Sequence, residues 1–471
     1  MSALDGLLAS YLDLARHLDP LRHPDEAPAE VQRRLGRFDA AWLRAQVAAL
    51  RSIAHAIEDL EDVESLDDEV DRTMLLDTVR AEMVRLEDEA EGPTADPGAG
   101  VRHAVAALDA LLGEAFDAER EAALRDRLSE LPGFLAALRG EDRPAPTFLV
   151  AAAREALAAL VERLEMAAER TDEGAVEASR TAVDLHRAWL DDPARIGGVP
   201  GVGDDVTEAR LATLAAEPLG VKGTLRTLEF RRAGIERSLA AIADELGFAD
   251  WRAAVRAVTD EAPLDPMERQ DAWAEEWQRV GVALEALGLP VVNGPVPAAP
   301  TADSAWALAG AAVRGHAVAM LQAVRAAEPR PVRRLLQAPG LARGWGRTAA
   351  ALVRDTEVLG TPERRLLSVH AALVDAVAAE TDLLLAARRQ LPTSLAVRVA
   401  EFGGLPAAAA DALVQGVGAT PFEALAAALA HEGWQAWYAE EGGDPIAFLR
   451  HALRGGGLSV PVARWAVSVE S

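Results

Sequence analysis

The stretch Ser65-Leu66-Asp67-Asp68-Glu69-Val70-Asp71-Arg72-Thr73-Met74-Leu75-Leu76-Asp77-Thr78-Val79-Arg80-Ala81-Glu82-Met83-Val84-Arg85-Leu86 decides the fold class. Val70, Met74, Val79, Met83 and Leu86 recur at spacings of three to five. That period gathers them on one helical face and leaves Asp, Glu and Arg on the other. Ser65 offers a hydroxyl to cap the helix, and Asp67 and Asp68 place carboxylates in its first turn. The same logic holds for Leu228, Ile235, Leu239, Ile242 and Leu246, a stripe that stops at Gly247, where a left-handed residue would end the helix. The Ala-rich stretches 149–160 and 405–430 combine helix propensity with side chains small enough for close packing. Alternating β-branched residues are scarce. Only Leu289-Pro290-Val291-Val292-Asn293-Gly294-Pro295-Val296-Pro297 reads as an extended segment or a hairpin around Asn-Gly. The expected class is all-α.

Chain breakers organise the rest. Gly92-Pro93 through Gly98 is a loop, Asp191-Asp192-Pro193 to Gly203 is a longer Gly/Pro linker, and 289–301 is a third break. The expectation is a large two-lobed helical protein: an N-terminal lobe over 1–192, a linker over 193–204 and a C-terminal lobe over 205–471. A chain of 471 residues can bury a substantial core.

Composition excludes several functions. The net charge is −27, which opposes binding to nucleic-acid phosphates and to anionic membranes. There is no Cys, so disulfides, thiol nucleophiles and thiolate metal sites are excluded. Lys222 is the one Lys and Asn293 the one Asn; with abundant Ala, Arg and Gly this points to a GC-rich bacterial genome. Met1 to Asp5 shows no basic n-region leading into an apolar run, and charges interrupt every Ala/Leu stretch. A cytoplasmic location without membrane attachment is expected.

Chemical motifs are few. The nine His are His17, His23, His55, His103, His186, His316, His370, His431 and His451. None stands in a His-Glu-x-x-His pattern. Gln435 follows four residues after His431-Glu432 and is a poor ligand, so His431 reads as structural or surface. Gly197 to Gly203 lacks the Lys-Ser/Thr of a phosphate loop and reads as linker. No Gly-x-Ser-x-Gly elbow exists. Trp434 and Trp437 share a helix face and suit core packing.

Across most of its length the chain resembles the bacterial domain-of-unknown-function-885 family, all-α proteins similar to zinc metallopeptidases. The resemblance is carried by the acidic helix Asp68–Glu87, by Ile235–Leu246 with Asp250-Trp251-Arg252, and by Arg343-Gly344-Trp345 with Leu359-Gly360 and Pro362-Glu363. Pro421, Ala424 and Leu425 continue it, and Asp444-Pro445 with Leu458-Ser459-Val460-Pro461 closes it. The family's signature is His-Glu-x-x-Pro-Gly-His-His followed by Glu-Gly-Trp. Here Gly310 replaces the first His, Ala311 the Glu and Ala317 the last His, while His316 is kept. Arg343 replaces the Glu of Glu-Gly-Trp, and Ala427 a later Tyr. His431-Glu432-Gly433-Trp434 imitates that block but stands too near the end to take its place in the register.

Gly and Ala carry no donor, and Arg does not bind a cation. The resemblance therefore implies a non-catalytic member that keeps a helical cleft for binding or regulation. No catalytic, cofactor-binding or metal-ligating residue is assigned, and no cofactor is expected, zinc being the resembled family's metal. The cleft candidates are Arg314, His316, Arg343, Trp345 and Glu423. Arg343, joined by Arg314, would set a guanidinium near the lost metal position and neutralise Glu423, or else Arg343 simply points to solvent. The expected partner is a peptide or protein. Two alternatives stand beside this: a peptidase or amidohydrolase with a relocated site, needing His316 and His370 to converge with acids, and an interaction protein that uses its outer helix faces.

Overall fold

A computed structural model describes residues 3–18, 33–37, 39–60, 65–91, 96–112, 117–140, 144–171, 173–198, 200–214, 219–265, 267–292 and 294–470. Among them lie 20 α-helices and no sheet; the chain is all-α. The only β pairings among the described residues are the isolated bridges Ala145–Ile196 and Pro263–Ser304.

The chain opens with α1 (Ala3–Leu18), α2 (Ala40–Glu58) and α3 (Leu66–Glu91). The Asp68 N–H donates to Ser65 Oγ at 3.2 Å, which caps α3 as its sequence predicts. Val70, Met74, Val79 and Leu86 are buried, and Met83 is half-buried. Four helices follow: α4 (Ala99–Asp109), α5 (Ala118–Arg139), α6 (Thr147–Ala168) and α7 (Glu173–Leu190). They enclose a core of their own that includes Leu108, Leu124, Leu128, Leu160 and Leu164.

Beyond the linker come α8 (Asp204–Leu214), α9 (Gly220–Glu245), α10 (Trp251–Glu261), α11 (Arg269–Ala286) and α12 (Ala307–Ala326). The short α13 (Pro331–Leu335) leads to α14 (Leu341–Leu352), α15 (Pro362–Ala386) and α16 (Pro392–Gly403). The chain closes with α17 (Ala407–Ala419), α18 (Glu423–Glu441), α19 (Pro445–Ala452) and α20 (Val460–Glu470). As its stripe predicts, α9 ends before Gly247, whose φ of 82° is left-handed. Helix α12 is long and apolar enough to cross a membrane by composition, yet half of that stretch is buried within the fold.

The expected lobe boundary does not divide the hydrophobic core. Leu12, Leu50, Val79 and Leu86 from α1–α3 share one cluster with Val313, Trp345, Trp434 and Leu449. Asp71 fastens α3 to α13, accepting from Arg330 Nε at 2.5 Å and Arg333 Nε at 2.7 Å. Helices α4–α7 are thus the separate unit, and α1–α3 belong with the C-terminal body. The linker is itself held: the N–H groups of Val202 and Gly203 both donate to the Ala386 carbonyl at 2.8 Å.

The Gly92-Pro93 loop lies partly outside the described residues, as does Asn293. Residues 289–292 and 294–303 make no hairpin; they form an extended strap on α11. Trp273 Nε1 donates to Pro297 O at 2.8 Å, and Ala299 N to Gln270 Oε1 at 3.0 Å. Pro290, Pro295, Pro297 and Pro300 have no N–H to give a strand ladder.

Candidate functional site

The degenerate motif lies on α12, and packing explains its small residues. A Cβ added at Gly310 would stand 2.7 Å from Ser368 Oγ and 3.1 Å from Ser368 Cα. Helices α12 and α15 touch here, and no imidazole could replace this glycine without parting them. His316 is 2% exposed. Its Nε2–H donates to the Trp277 carbonyl at 2.9 Å, and its ring stacks on Trp277 with centroids 3.9 Å apart. Burial pulls its pKa down against that hydrogen bond, so the ring is held neutral. Ala317 is buried, and its carbonyl accepts from Trp345 Nε1 at 3.0 Å. Trp345 packs edge-on to Trp434, which stacks on Trp437, so these residues are core.

The donors do not suit a zinc ion. Gly310, Ala311 and Ala317 offer no side-chain ligand, and the Nε2 of His316 is committed to a carbonyl. No three His, Asp or Glu side chains among the described residues converge as a metal would require. His370 does not join His316: its Nε2 donates to Gly403 O at 2.9 Å, beside Trp251 in a different core.

Arg343 pairs with Glu423 at 2.7 Å. Yet their side chains are 66% and 50% exposed. A pair so open to water contributes about 0–1 kcal/mol and screens no buried charge.

Arg314 does face a cavity. A cleft of about 380 Å³ opens between α9, α12, α14, α15 and α18. Arg314 Nη1 donates to Asp375 Oδ2 at 2.9 Å, and Arg347 Nη2 donates to Asp375 Oδ1 at 3.1 Å. Two guanidinium groups thus share one carboxylate. The cleft's other arginines have acids of their own, Arg231 with Glu432 at 2.5 Å and Arg354 with Asp355 at 3.4 Å. One positive charge remains in excess at the triad, in a chain whose net charge is −27. Burial lowers the Arg347 pKa, Asp375 opposes this, and Arg314 and Arg343 add to the lowering. The same triad also borders a more open groove beside Trp277 and Pro297.

His431 forms the cleft's far wall. Thr348 Oγ1–H donates to Gly344 O at 2.9 Å, so the hydroxyl accepts from His431 Nδ1–H at 2.7 Å. That leaves Nε2 unprotonated, and Arg231 Nη2 donates to it. The chain Arg231–His431–Thr348–Gly344 satisfies every member and fixes the neutral tautomer.

No protein-family model matches the chain, and no curated protein matches it. Solved structures do match it, these two among them. One, described as "a putative lipoprotein of unknown function" from Shewanella oneidensis, has a TM-score of 0.75 at 13% identity and covers 99% of this chain and 100% of its own. The other, "the putative lipoprotein from Colwellia psychrerythraea", has a TM-score of 0.78 at 12% identity and covers 100% and 99%. The likeness shows the fold alone.

Sequence reading passed over Arg231, Arg347 and Asp375, and it read His431 as structural or surface without finding its partners. The one local signal was the i, i+4 spacing of Arg343 and Arg347 on α14.

Burial, with Arg231 and Arg347 nearby, holds the His431 pKa well below its usual 6.5. The unfolded chain therefore gains a proton below that pH which the folded chain refuses, and stability falls as pH falls. For His431 alone the loss between pH 6.5 and 5 is roughly 2 kcal/mol. His431→Gln should therefore lose about 2 kcal/mol less urea-unfolding free energy between pH 7 and 5 than the unchanged chain. Equal losses in both proteins would contradict a neutral, buried His431.

Proposed function

We propose that this chain is a non-catalytic binding protein, resembling zinc metallopeptidases in architecture, whose helical cleft holds a ligand instead of cutting one. The observation that carries this reading is the use of the motif positions for packing: Gly310 sealed against Ser368, and His316 spent on the Trp277 carbonyl. The cleft beside them is formed by five helices, and cavities of a few hundred Å³ suit small ligands or the end of a peptide. We place the protein in the cytoplasm, and the cell envelope is the second reading, because two structural neighbours are described as lipoproteins. Fractionation of producing cells separates the two locations.

Elemental analysis of untagged protein, with peptidase and amidase assays with and without a chelator, tests the central claim. Substoichiometric transition metal and no chelator-sensitive turnover are expected. A tightly held equivalent of zinc with turnover that chelation abolishes would overturn the proposal.

A further inference from the structure

We infer, resting on the reading of the cleft as a binding site, that its ligand is a compact monocarboxylate with an apolar body, its carboxylate bridging the guanidinium groups of Arg314 and Arg347.

Charge supports the head group. Arg314, Arg347 and Asp375 together leave one positive charge, and the remaining cleft arginines are balanced by Glu432 and Asp355. A single carboxylate closes that account, whereas a dianion would overshoot it in a chain that is already strongly acidic.

Donor geometry supports it too. A guanidinium has five N–H donors in a planar fork suited to carboxylates. Among the described residues, Arg347 commits one of them, to Asp375, and Arg314 commits two, to Gly310 O and Asp375. Across the cleft, Gln435 Nε2 is buried with no partner in the protein. An unpaired buried amide is costly, and a ligand carbonyl or second carboxylate oxygen would satisfy it.

The walls support the body. Leu228, Ile235, Leu352 and Val369 line the same cleft. With a water taking about 30 Å³ in the liquid, 380 Å³ holds a ligand on the order of a dozen non-hydrogen atoms. That excludes a folded partner and a long peptide from the cavity itself. A short fatty acid and the carboxyl end of an apolar peptide share the required chemistry.

Calorimetric titration with octanoate and N-acetylleucine, each beside its neutral amide, tests the inference on the full chain. The acids are expected to bind about tenfold or more tightly than the amides. Arg347→Met should remove about that factor. Asp375→Asn should tighten binding severalfold, because the ligand then meets both guanidinium groups without an internal competitor. Circular dichroism and thermal melting establish that both variants fold, and Asp375→Asn decides the matter if Arg347→Met does not. Stronger binding of one acid identifies the source, lipid or peptide. If acid and amide bind alike, or Arg347→Met binds as the unchanged chain does, the monocarboxylate assignment falls while a binding cleft stands. Absence of binding by all four probes also overturns it. Chelator-sensitive cleavage of a peptide would remove the non-catalytic reading itself.

Discussion

Glu380→Ala should destabilise the fold by about 3–5 kcal/mol, the usual result of removing one partner from a buried ion pair. Glu380 lies on α15 and is fully buried. It accepts from Arg232 Nε at 2.8 Å and Arg398 Nη2 at 2.5 Å, joining α9 and α16 to α15. The two guanidinium groups also lie over the Phe402 ring, 3.9 and 4.7 Å from its centroid. Their outer partners, Glu236 at 3.1 Å and Glu229 at 3.4 Å, cannot replace a carboxylate placed between them. Burial disfavours the charged Arg232, but attraction to Glu380 and their hydrogen bond outweigh it and raise its pKa. Loss of Glu380 therefore leaves two cations deprived of their common anion, together with a cavity. Glu380→Gln keeps the shape and removes only the charge, so comparing the two variants by urea unfolding separates the contributions. A loss below about 1 kcal/mol for Glu380→Ala would show that water or the outer acids compensate, contrary to this account.

How far the sequence reveals the molecule depends on the kind of question. The stripes of α3 and α9 were legible because an amphipathic period depends on local spacing alone. So were the Ser65 cap and the stop at Gly247, which are settled within one turn. The partition of the core was not legible. A stripe says that a face is buried but not against which helix, so α1–α3 read as part of the lobe that follows them in the chain. They instead pack on α8, α13 and α20 of the C-terminal body, and Asp71 on α3 looked like one acid among 75 until Arg330 and Arg333 met it.

The cleft was harder still, since its polar residues come from five helices and the turn after α14. Arg231 and His431 are 200 positions apart. The motif positions led to α12 and α14, the right helices, but on them to Gly310, His316 and Trp345, which are core. Arg314 was found, and Arg347, one turn beyond the candidate Arg343, was not. His431 was set aside because it completes no metal-binding pattern. Its partners prove to be a guanidinium and a hydroxyl, for which no spacing rule exists.

The contact that brings His431 to Thr348 depends on glycine. Gly340, with φ 70°, precedes α14, and a Cβ there would stand 2.3 Å from the Ala426 carbonyl carbon. One turn on, a Cβ at Gly344 would meet Ala430 Cβ at 2.6 Å, His431 N at 2.8 Å and Ala427 O at 2.9 Å. Backbone atoms cannot rotate aside as a side-chain tip can, so a methyl group here must push α14 away from α18. Glycine-to-alanine changes inside exposed helices ordinarily stabilise by roughly 0.5–1 kcal/mol. Overpacking costs about 1–3 kcal/mol, and parting Thr348 from His431 removes a buried hydrogen bond worth about 1 kcal/mol more. The clash therefore wins, and Gly344→Ala should lose about 1–3 kcal/mol net of its better helix propensity. Gly416, exposed on α17 with nothing within 4 Å of an added Cβ, supplies the control. Gly416→Ala should raise the melting temperature slightly while Gly344→Ala lowers it by several degrees. Since Gly344 is also the acceptor at the end of the His431 chain, the histidine's ring-proton resonances should shift in Gly344→Ala and not in Gly416→Ala. Two variants that both stabilise would mean that α14 and α18 do not meet backbone to backbone, and the cleft wall they form would have to be drawn differently.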